Sequence, residues 1–197
     1  MSKGALLIIS GPSGAGKSTV CRQAALRGDV YLSISATTRR KRPGESEADY
    51  DFLSVEEFER LIALEAFLEY ANVHGNYYGT LKAPVFESLD KGRSVFLEID
   101  VQGGAQVRQS YEGAIRVFML PPSKAALKER LLGRGTETAA EFEKRMENAI
   151  AEIAQSKDYD YLIVNDTIEE TVQMLLAVTK ASEQRVKNHL DFIETFL

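Results

Sequence analysis

Five short apolar runs recur along the chain, at Ala5–Ile9, Val30–Ile34, Val95–Ile99, Ile115–Leu120 and Tyr161–Val164. They are nearly continuous rather than alternating, which is the pattern of strands covered on both faces. Between most of them the apolar positions change to helical spacing, over Lys17–Leu26, Gln102–Gln109, Ser123–Leu132 and Ala139–Ala154. A last helix is predicted from Thr167 through Phe196. Its first half should pack on the core through Ile168, Val172, Leu175, Leu176 and Val178. Strands alternating with helices predict an α/β fold, a mostly parallel sheet with helices on both faces.

The interval from Ala36 to Thr80 breaks this alternation. It is rich in Tyr, Phe, Glu and Arg, and Ser54-Val55-Glu56-Glu57 reads as a capping box opening a short helix. Extended pieces at Tyr50–Leu53 and Phe67–Val73 flank that helix, and Gly75-Asn76 marks a turn, so the interval predicts an inserted β-rich lobe. A second insertion is expected at Leu132-Gly133-Arg134-Gly135-Thr136-Glu137, where two glycines flank an arginine just after a helix. That is a hinge for a mobile lid. The expected division is a core of residues 1–35, 81–131 and 157–197, a lobe of 36–80 and a lid of 132–156.

Length and composition narrow the picture further. The chain has 197 residues, enough for one α/β domain with insertions. Its net charge of −5 disfavours bulk binding to nucleic acid or an anionic membrane, although Arg39-Arg40-Lys41-Arg42 forms a local basic cluster. The single cysteine, Cys21, fits a reducing compartment and a buried structural thiol. The first apolar run is too short for a signal peptide and no stretch is long enough to span a membrane, so a cytoplasmic protein is expected.

The chemistry begins at Gly11-Pro12-Ser13-Gly14-Ala15-Gly16-Lys17-Ser18, which fits G-x-x-x-x-G-K-[ST] at every fixed position and lies between a predicted strand and a predicted helix. Glycines let the loop curl so that several N–H groups face one phosphate chain. Lys17 adds a compact charge for the β- and γ-phosphates, and the Ser18 hydroxyl can ligate Mg²⁺. The fold class is therefore a P-loop NTPase-type sheet that binds a nucleoside triphosphate.

Three further clusters narrow the reaction. Ser35 to Glu45 follows the second strand, at the sheet end where α/β proteins bind ligands. There Arg39 and Arg42 either grip a second phosphate or belong to a solvated basic loop. Glu69 matches the N1 and N2 donors of guanine, and the hydroxyls of Ser35 and Thr80 match O6, whereas adenine would set a lone pair against the carboxylate. Tyr50 and Tyr78 can donate to a monophosphate, or simply pack the lobe. Arg130, Arg134 and Arg145 surround the lid, where they either stabilise charge on a transferred phosphoryl group or pair with Glu137, Glu141 or Glu147. Glu98-Ile99-Asp100 ends a strand aimed at the phosphate loop; Asp100 either holds Mg²⁺ or caps the next helix. His74 and His189 need no role.

In this order the motifs resemble the guanylate kinase family over about Leu6 to Asp166. Beyond the phosphate loop they include Ser35-Ala36-Thr37-Thr38-Arg39, Arg42-Pro43-Gly44-Glu45, Asp49-Tyr50, Gly75-Asn76-Tyr77-Tyr78-Gly79-Thr80, Glu98-Ile99-Asp100-Val101-Gln102-Gly103, Gly133-Arg134-Gly135-Thr136-Glu137 and Val164-Asn165-Asp166. The resemblance implies ATP + GMP ⇌ ADP + GDP with Mg²⁺ in purine nucleotide metabolism, the lobe binding the monophosphate. It implies that Gly11, Pro12, Ser13, Gly14, Ala15, Gly16, Lys17, Ser18 and Thr19 hold ATP with Arg134, and that Asn165 lies near the adenine. GMP would be held by Ser35, Arg39, Arg42, Tyr50, Glu69, Tyr78 and Thr80, with Glu98 and Asp100 beside it. Lys17, Arg39, Arg134 and Arg145 would form the catalytic set, and Ser18 and Asp100 the metal ligands. Some members carry Asp where this chain has Glu98. Two alternatives stand beside this one: a kinase for another nucleoside monophosphate, and a guanylate-kinase-like module that binds phosphopeptides. Lys17 and Ser18 argue against the module, and Glu69 against the other kinase.

The segment after Ala181 lies outside these motifs. Val186, Leu190, Ile193 and Leu197 fall at helical spacing with Phe192 and Phe196 beside them. That stripe either packs in a homodimer or folds back on its own core.

Overall fold

The computed structural model describes residues 3–42, 44–46, 50–73, 75–132 and 139–197. Five apolar runs become β1 (Leu6–Ser10), β2 (Val30–Leu32), β7 (Ser94–Glu98), β8 (Ile115–Leu120) and β9 (Tyr161–Val164). They form one parallel sheet in the order β2-β7-β1-β8-β9. Period-two geometry splits β1 between two cores. Leu7 and Ile9 pack with Val20, Cys21 and Ala24 of α1 (Lys17–Arg27) and Val172 and Leu175 of α7 (Ile168–Glu183). Leu6 and Ile8 pack on the other face with Val85 and Leu89 of α3 (Lys82–Asp90) and Val107 of α4 (Val101–Ser110). Continuous apolar runs are thus what β1, β7 and β8 need, since both faces are covered there; at the edge strand β9, by contrast, Tyr161, Leu162 and Val164 stay exposed and only Ile163 is buried.

The interval that breaks the alternation builds a second sheet, β4-β3-β6-β5, from β3 (Ala36–Thr37), β4 (Asp51–Phe52), β5 (Phe67–Val73) and β6 (Asn76–Leu81). The helix opened by the capping box, α2 (Val55–Ala63), starts with Ser54 Oγ accepting from Glu57 N at 3.1 Å. It lays Phe58 between Phe67 and Tyr77, with ring centroids 4.3 and 5.1 Å away. The β5–β6 register shifts between Phe67 and Glu69, so Phe67, Leu68 and Glu69 are buried in succession instead of alternating. That bulge turns a carboxylate inward.

α5 (Lys124–Leu132) and α6 (Ala139–Ala154) pack through Leu127, Leu131, Met146 and Ala149. The expected Gly-Arg-Gly hinge, including Arg134 and Glu137, lies outside the described residues, as do Pro43, Asp49 and His74. Among the described residues no helix is long and apolar enough to cross a membrane.

Two readings need correction. The helix expected from Thr167 through Phe196 ends at Glu183, followed by a 3₁₀ turn (Val186–Asn188) and the short α8 (Leu190–Glu194). Asn188 Nδ2 donates to the carbonyls of Ser182 and Glu183, and the His189 ring lies 3.0 Å from the Glu183 carbonyl. These side chains satisfy terminal carbonyls that a longer helix would have used. The sequence reading also passes over α3, which buries only Val85 and Leu89 and carries Pro84 in its first turn, where proline is tolerated.

Candidate active site

The loop after β1 crosses the carboxyl end of the sheet with Gly11, Gly14 and Gly16 at φ +147°, +83° and +85°. Two of these glycines also permit close approach. A Cβ on Gly11 would fall 2.1 Å from the Met119 carbonyl oxygen, and one on Gly16 would fall 2.3 Å from Asn165 Nδ2. Lys17 folds back over the loop, its Nζ donating to the carbonyls of Gly11 and Pro12 at 2.5 and 3.2 Å. Burial lowers the Lys17 pKa, and the opposing fields of Glu98, Glu152 and Asp100 limit the fall. The loop, with Thr19, Arg130 and the carboxylates of Glu98, Asp100 and Glu152, lines a cavity of about 590 Å³.

Asn165, at the end of β9, straps this loop from below. It is 4% exposed; Nδ2 donates to the Ala15 carbonyl at 2.8 Å and Oδ1 accepts from the Thr171 hydroxyl at 3.1 Å. Its own carbonyl accepts from Arg130 Nη2 at 3.1 Å. The structure therefore spends the Asn165 amide on the loop backbone, where the family resemblance implies a place near adenine. Arg145, on α6, reaches the loop as well, donating to Ser13 Oγ at 3.0 Å and to the Leu131 carbonyl at 3.2 Å.

A second cavity, of about 280 Å³, opens under the β3–β6 sheet and is lined by Ser35, Tyr50, Glu69, Tyr78, Glu98 and Asp100. Glu69 is 7% exposed, and its Oε1 accepts from Thr80 Oγ1 at 2.6 Å. Burial raises the Glu69 pKa, the Thr80 hydrogen bond opposes this, and nearby Asp100 adds to the rise. Thr80 thus braces the carboxylate with the hydroxyl that the sequence reading matched to guanine O6. Tyr50 and Tyr78 meet edge to face at 6.1 Å, and the Arg39 guanidinium lies 5.2 Å from the Tyr50 ring centre. Arg39 is held as a fork: both terminal nitrogens donate to Glu45 at 2.9 Å, and Glu45 also accepts the backbone N–H of Arg42.

The two cavities share one wall, Glu98-Ile99-Asp100. Ser18 Oγ donates to Glu98 Oε1 at 2.5 Å, and Asp100 Oδ1 accepts from Gly103 N at 2.8 Å as the cap of α4. Asp100 therefore performs the capping that the sequence left open, while still facing both cavities. Glu98, placed beside GMP by the resemblance, meets the loop serine. Glu152 was missed from sequence: it sits on α6 in a charged helical stretch, and nothing local marks it as facing Lys17.

A parallel sheet whose first strand delivers a glycine-rich phosphate loop at its carboxyl end, with helices on both faces, defines a P-loop NTPase-type protein. The chain belongs to the guanylate kinase family: the guanylate kinase family model matches residues 3–182. The guanylate kinase of Carboxydothermus hydrogenoformans is 49% identical over 95% of this chain and 93% of its own length. That of Clostridium tetani is 46% identical over 98% and 93%. The crystal structure of guanylate kinase from Anaplasma phagocytophilum superposes with a TM-score of 0.76 at 34% identity, covering 94% of this chain and 89% of that one.

Proposed function

We propose that the two adjoining cavities are the bisubstrate site of the chain's guanylate kinase activity, transfer of the γ-phosphoryl group of ATP to GMP to give ADP and GDP. The observation that supports this most is the shared wall. A triphosphate on the Gly11–Ser18 loop and a monophosphate below Glu69 would meet end to end at Glu98-Ile99-Asp100. Nothing in the comparisons favours a phosphopeptide module or a kinase for another nucleotide.

In this reading the ionised Glu69 accepts from guanine N1 and N2, Thr80 holds it in place, and Ser35 faces O6. Tyr50, Tyr78, Arg39 and Arg42 bind the GMP phosphate, and Glu45 keeps the Arg39 fork oriented until that phosphate arrives. Lys17 neutralises charge on the transferred group. Arg145, already hydrogen-bonded to the loop, adds to it, and Arg134 is assigned the same task from the family pattern. The GMP oxygen is already anionic, so catalysis is positioning and charge neutralisation without a general base. Ser18 with the Glu98 and Asp100 carboxylates offers hard oxygen donors beside the phosphate loop, which fits Mg²⁺ held by few protein oxygens and by phosphates. Bound there, Mg²⁺ would supply charge neutralisation for the transferred phosphoryl group.

A cytoplasmic setting accords with the single, fully buried thiol of Cys21. A homodimer through the C-terminal segment accords with Phe192 and Phe196 being 62% and 74% exposed; light scattering that finds a monomer at micromolar concentration overturns it. The division of labour is tested by calorimetry. Lys17→Ala should lose turnover and keep GMP binding, whereas Arg39→Ala or Arg42→Ala should first raise the KM for GMP. Equal loss of ATP binding in all three contradicts the assignment.

A further inference from the structure

α4 carries consecutive glycines, Gly103 and Gly104, at its third and fourth positions, although glycine is the poorest helix former short of proline. Each has its own neighbour. A Cβ on Gly104 would meet Tyr159 Oη at 3.1 Å and Ile8 Cγ2 at 3.3 Å, which is packing against the sheet. A Cβ on Gly103 would instead lie 3.0 Å from Glu69 Oε2, 3.3 Å from the Glu69 carboxyl carbon and 3.4 Å from Asp100 Oδ1. Glu69 has little room to retreat. Its other oxygen is held by Thr80 at 2.6 Å, and the irregular register of β5 buries Leu68 and Glu69 together. The same glycine's N–H donates to Asp100 at 2.8 Å.

We infer that Gly103 is a specificity-determining positioning residue: its bare Cα is the seat on which the Glu69 carboxylate rests, while its amide ties that seat to Asp100 at the phosphate end. The first turn of α4 thereby fixes the guanine-reading group relative to the transfer site. A carboxylate at a helix N-terminus is also electrostatically favoured there. The inference rests on the reading of Glu69 as the guanine contact.

Gly103→Ala pushes the carboxylate off its seat by a few tenths of an ångström. Steady-state kinetics with GMP and with IMP, which lacks the 2-amino group, should show the KM for GMP rising about tenfold and the GMP-over-IMP preference shrinking in step. The change falls on that KM rather than on kcat or the KM for ATP, and Tm falls only slightly, because the better helix propensity of alanine offsets part of the crowding. Gly104→Ala should lower Tm without altering the GMP-over-IMP preference. In a Glu69→Ala background nothing rests on the seat, so Gly103→Ala should change KM less than about twofold further. An equal fold-change in both backgrounds, a parallel rise in the KM for ATP, unchanged GMP kinetics or a collapse of Tm in Gly103→Ala each overturns the inference. If Glu69→Gln itself leaves GMP kinetics and the IMP preference unchanged, the guanine reading of Glu69 fails, and this inference with it.

Discussion

Replacing Asn165 with alanine removes the strap under the phosphate loop. The side chain is 4% exposed and both its polar groups are used, Nδ2 on the Ala15 carbonyl and Oδ1 on the Thr171 hydroxyl. Thr171 keeps a second partner, the Thr167 carbonyl at 2.6 Å, so the Ala15 carbonyl bears most of the loss. An orphaned buried acceptor costs about 1–3 kcal/mol. The void left by three heavy atoms adds about 1 kcal/mol, for a total of about 2–4 kcal/mol. In a domain of this size each kcal/mol moves Tm by about 2–4 °C, so calorimetry of nucleotide-free protein should find a fall of about 5–15 °C. The loop should also loosen, raising the KM for ATP while leaving that for GMP nearly unchanged. Thr171→Val should produce a smaller fall in the same direction. If Asn165→Ala raises the KM for ATP and leaves Tm of the nucleotide-free protein within 2 °C of the parent, Asn165 is a nucleotide contact and the strap is refuted.

The remaining predictions concern ionisation. Because burial raises the Glu69 pKa above its ordinary 4.5 and guanine binding needs the carboxylate ionised, kcat/KM for GMP should fall as pH drops through that raised value. Glu69→Gln should remove this limb; its persistence in the variant assigns the titration elsewhere. The native state holds the Glu69 proton more tightly than the unfolded chain, so this group's contribution to stability is greatest below pH 4.5 and is lost as pH rises through the raised value. Glu69→Gln should accordingly leave Tm at neutral pH equal or higher even as GMP turnover falls. Cys21 is 0% exposed and burial pushes its thiol far above the ordinary range, so a thiol reagent should react only on unfolding; rapid labelling of the folded protein contradicts that burial.

Much of this architecture is legible in the chain because physical necessity leaves local marks. A strand covered on both faces must be apolar at successive positions, and Leu6 to Ile9 are so placed. A loop that curls around phosphate needs positive φ, hence glycine at 11, 14 and 16. What was not legible is made by distant segments. The end of α7 carries no glycine or proline; it is closed by Asn188 and His189 folding back. The Ser18–Glu98 hydrogen bond joins positions 80 residues apart, and the Asn165–Ala15 strap joins positions 150 apart. Neither spacing marks the pair. The sequence places Thr80 and Glu69 in one cluster and matches the hydroxyl to guanine O6; that the hydroxyl donates to the Glu69 carboxylate is visible only in the geometry.

In the proposed site a phosphate-loop cavity and a guanine-reading cavity share one wall and pass a phosphoryl group across it. A coupled ADP-release assay with ATP and GMP, dGMP, AMP, CMP or UMP tests this most directly. The site predicts that kcat/KM for GMP exceeds that for AMP by about 10⁴-fold or more, since adenine would leave the buried Glu69 facing a lone pair. AMP turned over within tenfold of GMP would contradict it.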